Sequence, residues 1–312
     1  MPITLPPITR RRFLQGTAGA LAAAVAAPAF AQNDPAPDAS QDIWAFLSDT
    51  HIPGDREKTG GNPPVKPVEH FSKVRADIFS GALDKPGGLI VTGDCVYIKG
   101  LPEDYVTLLE EFTPFRKAGM PVHFVMGNHD NRQAFLNAAA RETGQKEPES
   151  IPPRLCSIVE TPKANFFLMD SLERTNYTPG LFGEEQLQWL CDELDSRKEK
   201  PAILFAHHYP DYTGGVVKNP HALQDTAAFF NRIRDRKQVK AYVFGHSHVW
   251  KILRKDDIHL VNLPATAWRF DQTQPFAWVL VKLRNDGMTL TLRSIDPEHP
   301  KHNEVVDLDW RT

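Results

Sequence analysis

Cysteine is scarce: three residues in 312, at Cys95, Cys156 and Cys191. So few, in odd number, form no disulfide framework, although a single bridge stays open. Long apolar runs are missing too. The one extended apolar stretch, Gly16 to Ala27, is too short and too alanine-rich for a stable membrane span. No cysteine follows it that could carry a lipid anchor. Basic excess is absent: 36 Lys and Arg stand against 39 Asp and Glu, a formal charge of −3. That argues against binding nucleic-acid polymers or anionic membranes, which takes basic patches. Internal repeats are absent as well.

The N-terminus carries an address instead. Thr9-Arg10-Arg11-Arg12-Phe13-Leu14 fits the twin-arginine pattern, and Ala29-Phe30-Ala31 after the apolar stretch is a small-x-small cleavage site. Residues 10–31 contain no acid, which speaks against an ordinary amphipathic helix. The expectation is a signal peptide at 1–31, a disordered Pro/Asp/Ala/Ser-rich leader at 32–41, and one domain over 42–312. Export would use the twin-arginine machinery and end in the periplasm or outside the cell. Cleavage removes three arginines and no acid, taking the formal charge from −3 to −6.

Within 42–312 the texture alternates. Strand-like runs are Ile43–Leu47, Leu89–Val91, Val122–Val125, Leu155–Val159, Asn165–Met169, Ala202–Ala206 and Val239–Phe244. Helix-like runs are Val68–Ala82, Glu103–Arg116, Arg132–Ala140, Glu184–Arg197 and Leu223–Arg234, with Pro114 expected to kink or end the second. Cys191 falls in step with Leu187, Leu190 and Leu194 and reads as core. After Trp250 the pattern is β, in Ile258–Leu263, Ala277–Leu283 and Thr289–Ser294. Spacing alone gives an α/β domain.

Five short blocks each follow a strand-like run: Asp49-Thr50-His51, Gly93-Asp94, Gly127-Asn128-His129-Asp130, His207-His208 and Gly245-His246-Ser247-His248. They supply oxygen and imidazole donors only. In an extended segment Asp49 and His51 would point to one side and could share a metal, as would His246 and His248. Asp94 has two oxygens and can bridge two ions. Asn128 offers a neutral amide oxygen. Ligands at the carboxyl ends of neighbouring strands converge on one crevice. Any one block alone is more often a turn or a structural pair. All of them together describe two divalent cations side by side.

This ordered set, over roughly 43–250, resembles the calcineurin-like metallophosphoesterase family. The resemblance implies a four-layer α/β/β/α sandwich with two mixed sheets, the C-terminal strands of 251–312 completing the second. It implies Asp49, His51 and His248 on the first metal, Asn128, His207 and His246 on the second, and Asp94 between them. His208 adjoins His207 and competes for the same role; His207 is favoured as the first residue after the strand. His129 matches the family's non-ligand histidine at the phosphate, the catalytic position, and Asp130 would either orient it or cap the helix at Arg132. Cys95 should point away from the metals.

The implied activity is phosphoester hydrolysis, with a bridging hydroxide attacking phosphorus in line. The donor set suits Mn, Fe or Zn, so two divalent ions of unnamed identity are expected. Two such ions beside Asp49, Asp94 and hydroxide leave a charge of roughly +1, enough to attract phosphate without an arginine cluster. Substrates would be small phosphodiesters or phosphomonoesters, nucleotides and cyclic nucleotides among them. The contrasting reading is a non-catalytic metal- or phosphate-binding protein on the same scaffold. Two Gly/Pro loops, Pro53–Pro67 and Tyr209–His221, leave strand ends and should line the mouth. Trp268-Arg269-Phe270 could offer a stacking surface, and His221 could approach the site.

Overall fold

A computed structural model describes residues 4–8, 42–146, 153–212 and 219–312. The twin arginines, apolar stretch, cleavage site and leader at 9–41 lie outside the described residues.

Two mixed sheets face one another. The first has the order β1 (Thr4–Leu5), β4 (Val122–Phe124), β3 (Gly88–Val91), β2 (Asp42–Leu47), β11 (Ala277–Leu283), β12 (Gly287–Ser294), β13 (Val305–Asp309). The second runs β5 (Ser157–Glu160), β6 (Asn165–Leu168), β7 (Ala202–Phe205), β8 (Val239–Phe244), β10 (Ile258–Asn262), β9 (Lys251–Lys255). Strands β2, β3 and β4 are parallel, as are β6, β7, β8 and β10. Such strands are covered on both faces and read as continuous apolar runs, which is why β3 and β7 are Gly-Leu-Ile-Val and Ala-Ile-Leu-Phe.

Strand alternation assigns the faces. On β2, Trp44 and Phe46 join the core between the sheets, with Ile90, Phe166, Ile203, Phe205 and Val243. Ala45 and Leu47 face the other way. There α1 (Pro67–Phe79), α2 (Pro102–Lys117) and α3 (Arg132–Thr143) cover the first sheet through Phe71, Val74, Leu108, Phe112, Phe115 and Phe135. On the far side α4 (Glu184–Ser196) and α5 (Thr226–Ile233) cover the second sheet through Leu187, Leu190, Leu194, Phe229 and Ile233. The result is the four-layer α/β/β/α sandwich.

Three expectations need correction. The late strands do not all complete the second sheet: β9 and β10 do, but β11, β12 and β13 extend the first, with β11 antiparallel to β2. The crossing keeps Val279 and Val281 in the core between the sheets. Pro114 neither ends nor interrupts α2, because it falls in the last turn, where Ala118 N–H still reaches the Pro114 carbonyl at 3.0 Å. Helix α5 starts at Thr226, after Leu223 has bridged to Gly180 and Pro210. At the edge of the first sheet, Thr4–Leu5 pairs antiparallel with Val122–His123 and buries Leu5.

The cysteines are all free. Cys95 is buried on the helix-covered side of the first sheet, its Sγ 3.6 Å from the Val125 carbonyl. Among the described residues no helix is long and apolar enough to cross a membrane.

Candidate metal centre

Each block leaves the carboxyl end of its strand: Asp49 and His51 after β2, Asp94 after β3, Asn128 and His129 after β4, His207 after β7, His246 and His248 after β8. Both sheets therefore contribute, and two contacts stitch them together. Asp49 Oδ2 accepts from His246 N–H at 3.1 Å, and His207 Nδ1 donates to the Thr92 carbonyl at 2.9 Å.

The backbone differs from the extended geometry expected. Asp49, His51, Asp94, His246 and His248 all have positive φ, between 43° and 68°. Side chains of paired blocks converge because each turns through the left-handed region just past its strand, not because they alternate along it. Such conformations are costly for residues other than glycine and cluster at functional sites. Backbone bonds hold them here: Asp49 N to Gly93 O, His51 N to Asp94 O and Ile52 N to Cys95 O, at 2.9–3.1 Å. The turns also require glycine neighbours. A Cβ on Gly245 would overlap Ser48 Oγ, and one on Gly127 would overlap Asp94.

Two donor groups result. In the first, His248 Nε2 lies 3.2 Å from Asp49 Oδ1 and 3.4 Å from His51 Nε2. In the second, His207 Nε2 lies 3.1 Å from Asn128 Oδ1 and 3.1 Å from His246 Nδ1. Asp94 Oδ2 stands between them, 3.8 Å from His51 Nε2 and 3.3 Å from His207 Nε2.

Tautomers make these contacts informative. His248 Nδ1 donates to the Trp268 carbonyl at 2.7 Å, so in the neutral ring Nε2 is a lone pair. That lone pair faces the Asp49 Oδ1 lone pairs, and this oxygen is fully buried with no hydrogen-bond partner. Two buried acceptors pointing at each other call for a cation. Donors bound to one ion at about 2.1 Å sit roughly 3–3.5 Å apart, as these do. The residues present therefore fit a pair of divalent ions.

Electrostatics agree. Burial opposes ionisation of Asp49 and Asp94, yet His248 beside the first and His207 beside the second hold both carboxyls well below the usual range. Burial likewise opposes charging of His207, but the Asp94 carboxylate outweighs it and raises the ring to about 9. A proton on His207 stands where a metal would. His51, buried, and His246, half-buried, are desolvated without a dominant carboxylate and fall to about 3, so both rings stay neutral and could offer a lone pair.

His208 is engaged elsewhere. Its Nε2 donates to the Thr178 carbonyl at 2.9 Å and its Nδ1 lies 2.8 Å from Ser171 Oγ. Although it sits close enough to His207 and His246 to complete a three-donor group, both its nitrogens are committed to the fold.

His129 is partly exposed. Its Nδ1 donates to the Ile98 carbonyl at 2.8 Å, which leaves Nε2 facing the cavity, 3.9 Å from Asp94 Oδ2. Asp130 does neither job expected of it. Asn131 caps α3, accepting from Ala134 N–H at 3.0 Å. Asp130 is instead buried and accepts from Cys95, Val96 and Gly127 N–H, tying the second block to the third. Burial, and then the Asp94 charge, push its carboxyl up to about 7.

The cavity above the donors holds about 480 Å³ and is lined by His248, Trp268, Phe270, Tyr209, His221 and Thr178 as well as by the donors. Sequence reasoning missed what Trp268 does. It is buried, and its ring stacks on His51 at 3.9 Å while its carbonyl orients His248. Since His51 Nδ1 has no hydrogen-bond partner among the described residues, this stack is what fixes that ring. The loop Pro53–Pro67 does not reach the cavity over the donors, but its Gly61 and Asn62 line an adjoining pocket with Trp268 and Phe270 of the rim. It packs behind Trp268 through Gly60 and Gly61. Its charges are spent on the surface, with Arg56 paired to Glu110 and Glu111 and Lys66 to Glu57. Of the second loop, Tyr209 and His221 do reach the cavity.

A two-sheet sandwich with this donor set at its strand ends defines a metallophosphoesterase, a hydrolase of phosphoric ester bonds. The calcineurin-like phosphoesterase profile matches residues 45–250, and the chain belongs to that family. Among relatives, it is 23% identical over 241 residues to the glycerophosphodiester phosphodiesterase GpdQ of Enterobacter lignolyticus, covering 75% of this chain and 82% of that one. It is 27% identical over 217 residues to a 3′,5′-cyclic-nucleotide phosphodiesterase of Nostoc, covering 65% and 74%. A dimetal phosphatase from Danio rerio shares the fold, with a TM-score of 0.62, 16% identity, and 86% and 99% of the two chains covered.

Proposed function

We propose that this protein is an exported phosphodiesterase for small substrates, working with two divalent ions. Asp49, His51 and His248 would hold one ion, Asn128, His207 and His246 the other, with Asp94 shared. The observation that carries this is the position of Asp94 Oδ2 between the two groups, 3.8 Å from His51 Nε2 and 3.3 Å from His207 Nε2. When bound, such ions acidify water into a nucleophile and stabilise charge on phosphoryl oxygens.

The chain's own residues do the rest. Asp94 and Asp49 offset half of the ions' positive charge. No Lys or Arg is among the described residues lining the cavity. His129, its Nδ1 anchored on Ile98, turns Nε2 towards the cavity, and in its doubly protonated form it would hold there a proton for the departing oxygen. Phosphodiesterase relatives acting on cyclic nucleotides and glycerophosphodiesters support the diester reading. Export rests on Thr9–Leu14 and the Ala29-Phe30-Ala31 site. The metal-reconstituted protein should turn over bis(p-nitrophenyl) phosphate with a higher kcat/KM than p-nitrophenyl phosphate. The reverse order would overturn the diester assignment.

A further inference from the structure

Phe270 is the most exposed of the large apolar side chains among the described residues, at 72%. It is not on a remote surface. Its ring lies parallel to His248, 4.4 Å between centroids and 19° between planes, at the rim of the cavity. One face is thus held by a donor histidine, and the rest of the ring, largely exposed, also lines an adjoining pocket with Gly61, Asn62 and Gln272. Tyr209, another lining residue, has its ring 5.6 Å from that of His246. Each histidine of the last block therefore has an aromatic lining residue beside it.

We infer that Phe270 is a specificity-determining residue that stacks on a nucleobase, so that the preferred diesters carry a base. The inference rests on the diester reading above and deepens it. An apolar ring left in water gains most by meeting another flat apolar face, and an aromatic platform accepts any base because every base has a π-face. An ammonium-bearing alcohol could also meet an aromatic face. However, Asp94 is the single carboxylate among the described lining residues, and it is taken up between the donor groups. Thr178, His221 and Ser247 offer instead the mixed donors and acceptors that a base edge uses. The cavity, at about 480 Å³, has the size of a small-ligand site.

The test compares 3′,5′-cyclic AMP with the cyclic phosphate of the same sugar lacking its base, on the metal-loaded full chain. Wild type should prefer the base-bearing substrate. Phe270→Ala should lower the ratio of the two kcat/KM values about tenfold, mostly through KM, the order expected for loss of one base–aromatic stack. Phe270→Trp should restore it. Equal losses on both substrates, or no preference in wild type, would overturn the stacking role. Turnover of bis(p-nitrophenyl) phosphate by wild type in the same assay separates the two claims. If it is present, equal losses count against Phe270 alone. If it is absent, the diester reading falls and the base platform with it.

Discussion

Asp94 and His129 are joined through the backbone: Asp94 Oδ1 accepts the His129 N–H at 2.8 Å, while Oδ2 faces the two donor groups. One carboxylate thus fixes the acid-base candidate with one oxygen and would serve the metals with the other. Moving Asp94 disturbs both, whereas removing the His129 ring should disturb only chemistry.

That separation gives a leaving-group test. His129→Ala should keep both metals. Proton donation to a departing oxygen is typically worth about 10²–10⁴-fold in rate, and it matters most for poor leaving groups. The variant should lose little on p-nitrophenyl diesters and about a hundredfold or more on alkyl or nucleoside diesters. Equal loss on both would assign His129 to stabilising phosphoryl oxygens instead.

As a proposed ligand, His207 should set the pH dependence of metal binding. Burial opposes its charge, Asp94 favours it more strongly, and the ring rises to about 9 without metal. A metal must displace that proton, so affinity should climb with pH and level off above about 9. From about pH 6 to about pH 8 the gain should be on the order of tenfold per unit. The sign for stability is opposite. A folded-state value above the unfolded 6.5 stabilises the metal-free protein below 6.5, and that stability is lost as pH rises through about 9. Titration calorimetry in buffers of different ionisation enthalpy reads the proton released. A flat affinity across this range would show that His207 is not a ligand.

That the candidate donors would gather in one place was legible in the sequence because they sit at strand ends, and β2, β3, β4, β7 and β8 are apolar runs that announce themselves. The way the donors converge was not. Positive φ at Asp49, His51 and Asp94 comes from bonds between blocks, such as His51 N to Asp94 O, which no local pattern reveals. The same holds for Trp268, whose stack on His51 joins residues 217 positions apart. Strand β11 could pair with either sheet on composition; only its register against β2 decides. Asp130 looked like a cap because it precedes a helix, but Asn131 is one residue nearer and takes that bond.

The N-terminal strand makes a further prediction about the precursor. Leu5 is buried where Thr4–Leu5 meets β4, and Arg116 Nε donates to the Pro6 carbonyl at 3.1 Å. Cleavage after Ala31 would remove this edge. Full burial of a leucine is worth about 1.5–3 kcal/mol, so the chain lacking residues 1–31 should be less stable than the full chain by about 2 kcal/mol in urea. Leu5→Asp in the full chain should reproduce the loss. Identical stabilities would show that the strand contributes nothing. In cells, Arg10→Lys with Arg11→Lys should trap the precursor inside; normal periplasmic yield would count against the twin-arginine route.

The central claim is a metal pair shared through Asp94, and metal content of the folded protein tests it most directly. Elemental analysis of purified wild type should give two divalent ions per chain, with turnover of bis(p-nitrophenyl) phosphate. Asp94→Ala, shown to be folded by circular dichroism, should hold fewer than one ion per chain and lose activity at least about a thousandfold. Two tightly held ions in that variant, or an active wild type with a single ion, would contradict the account.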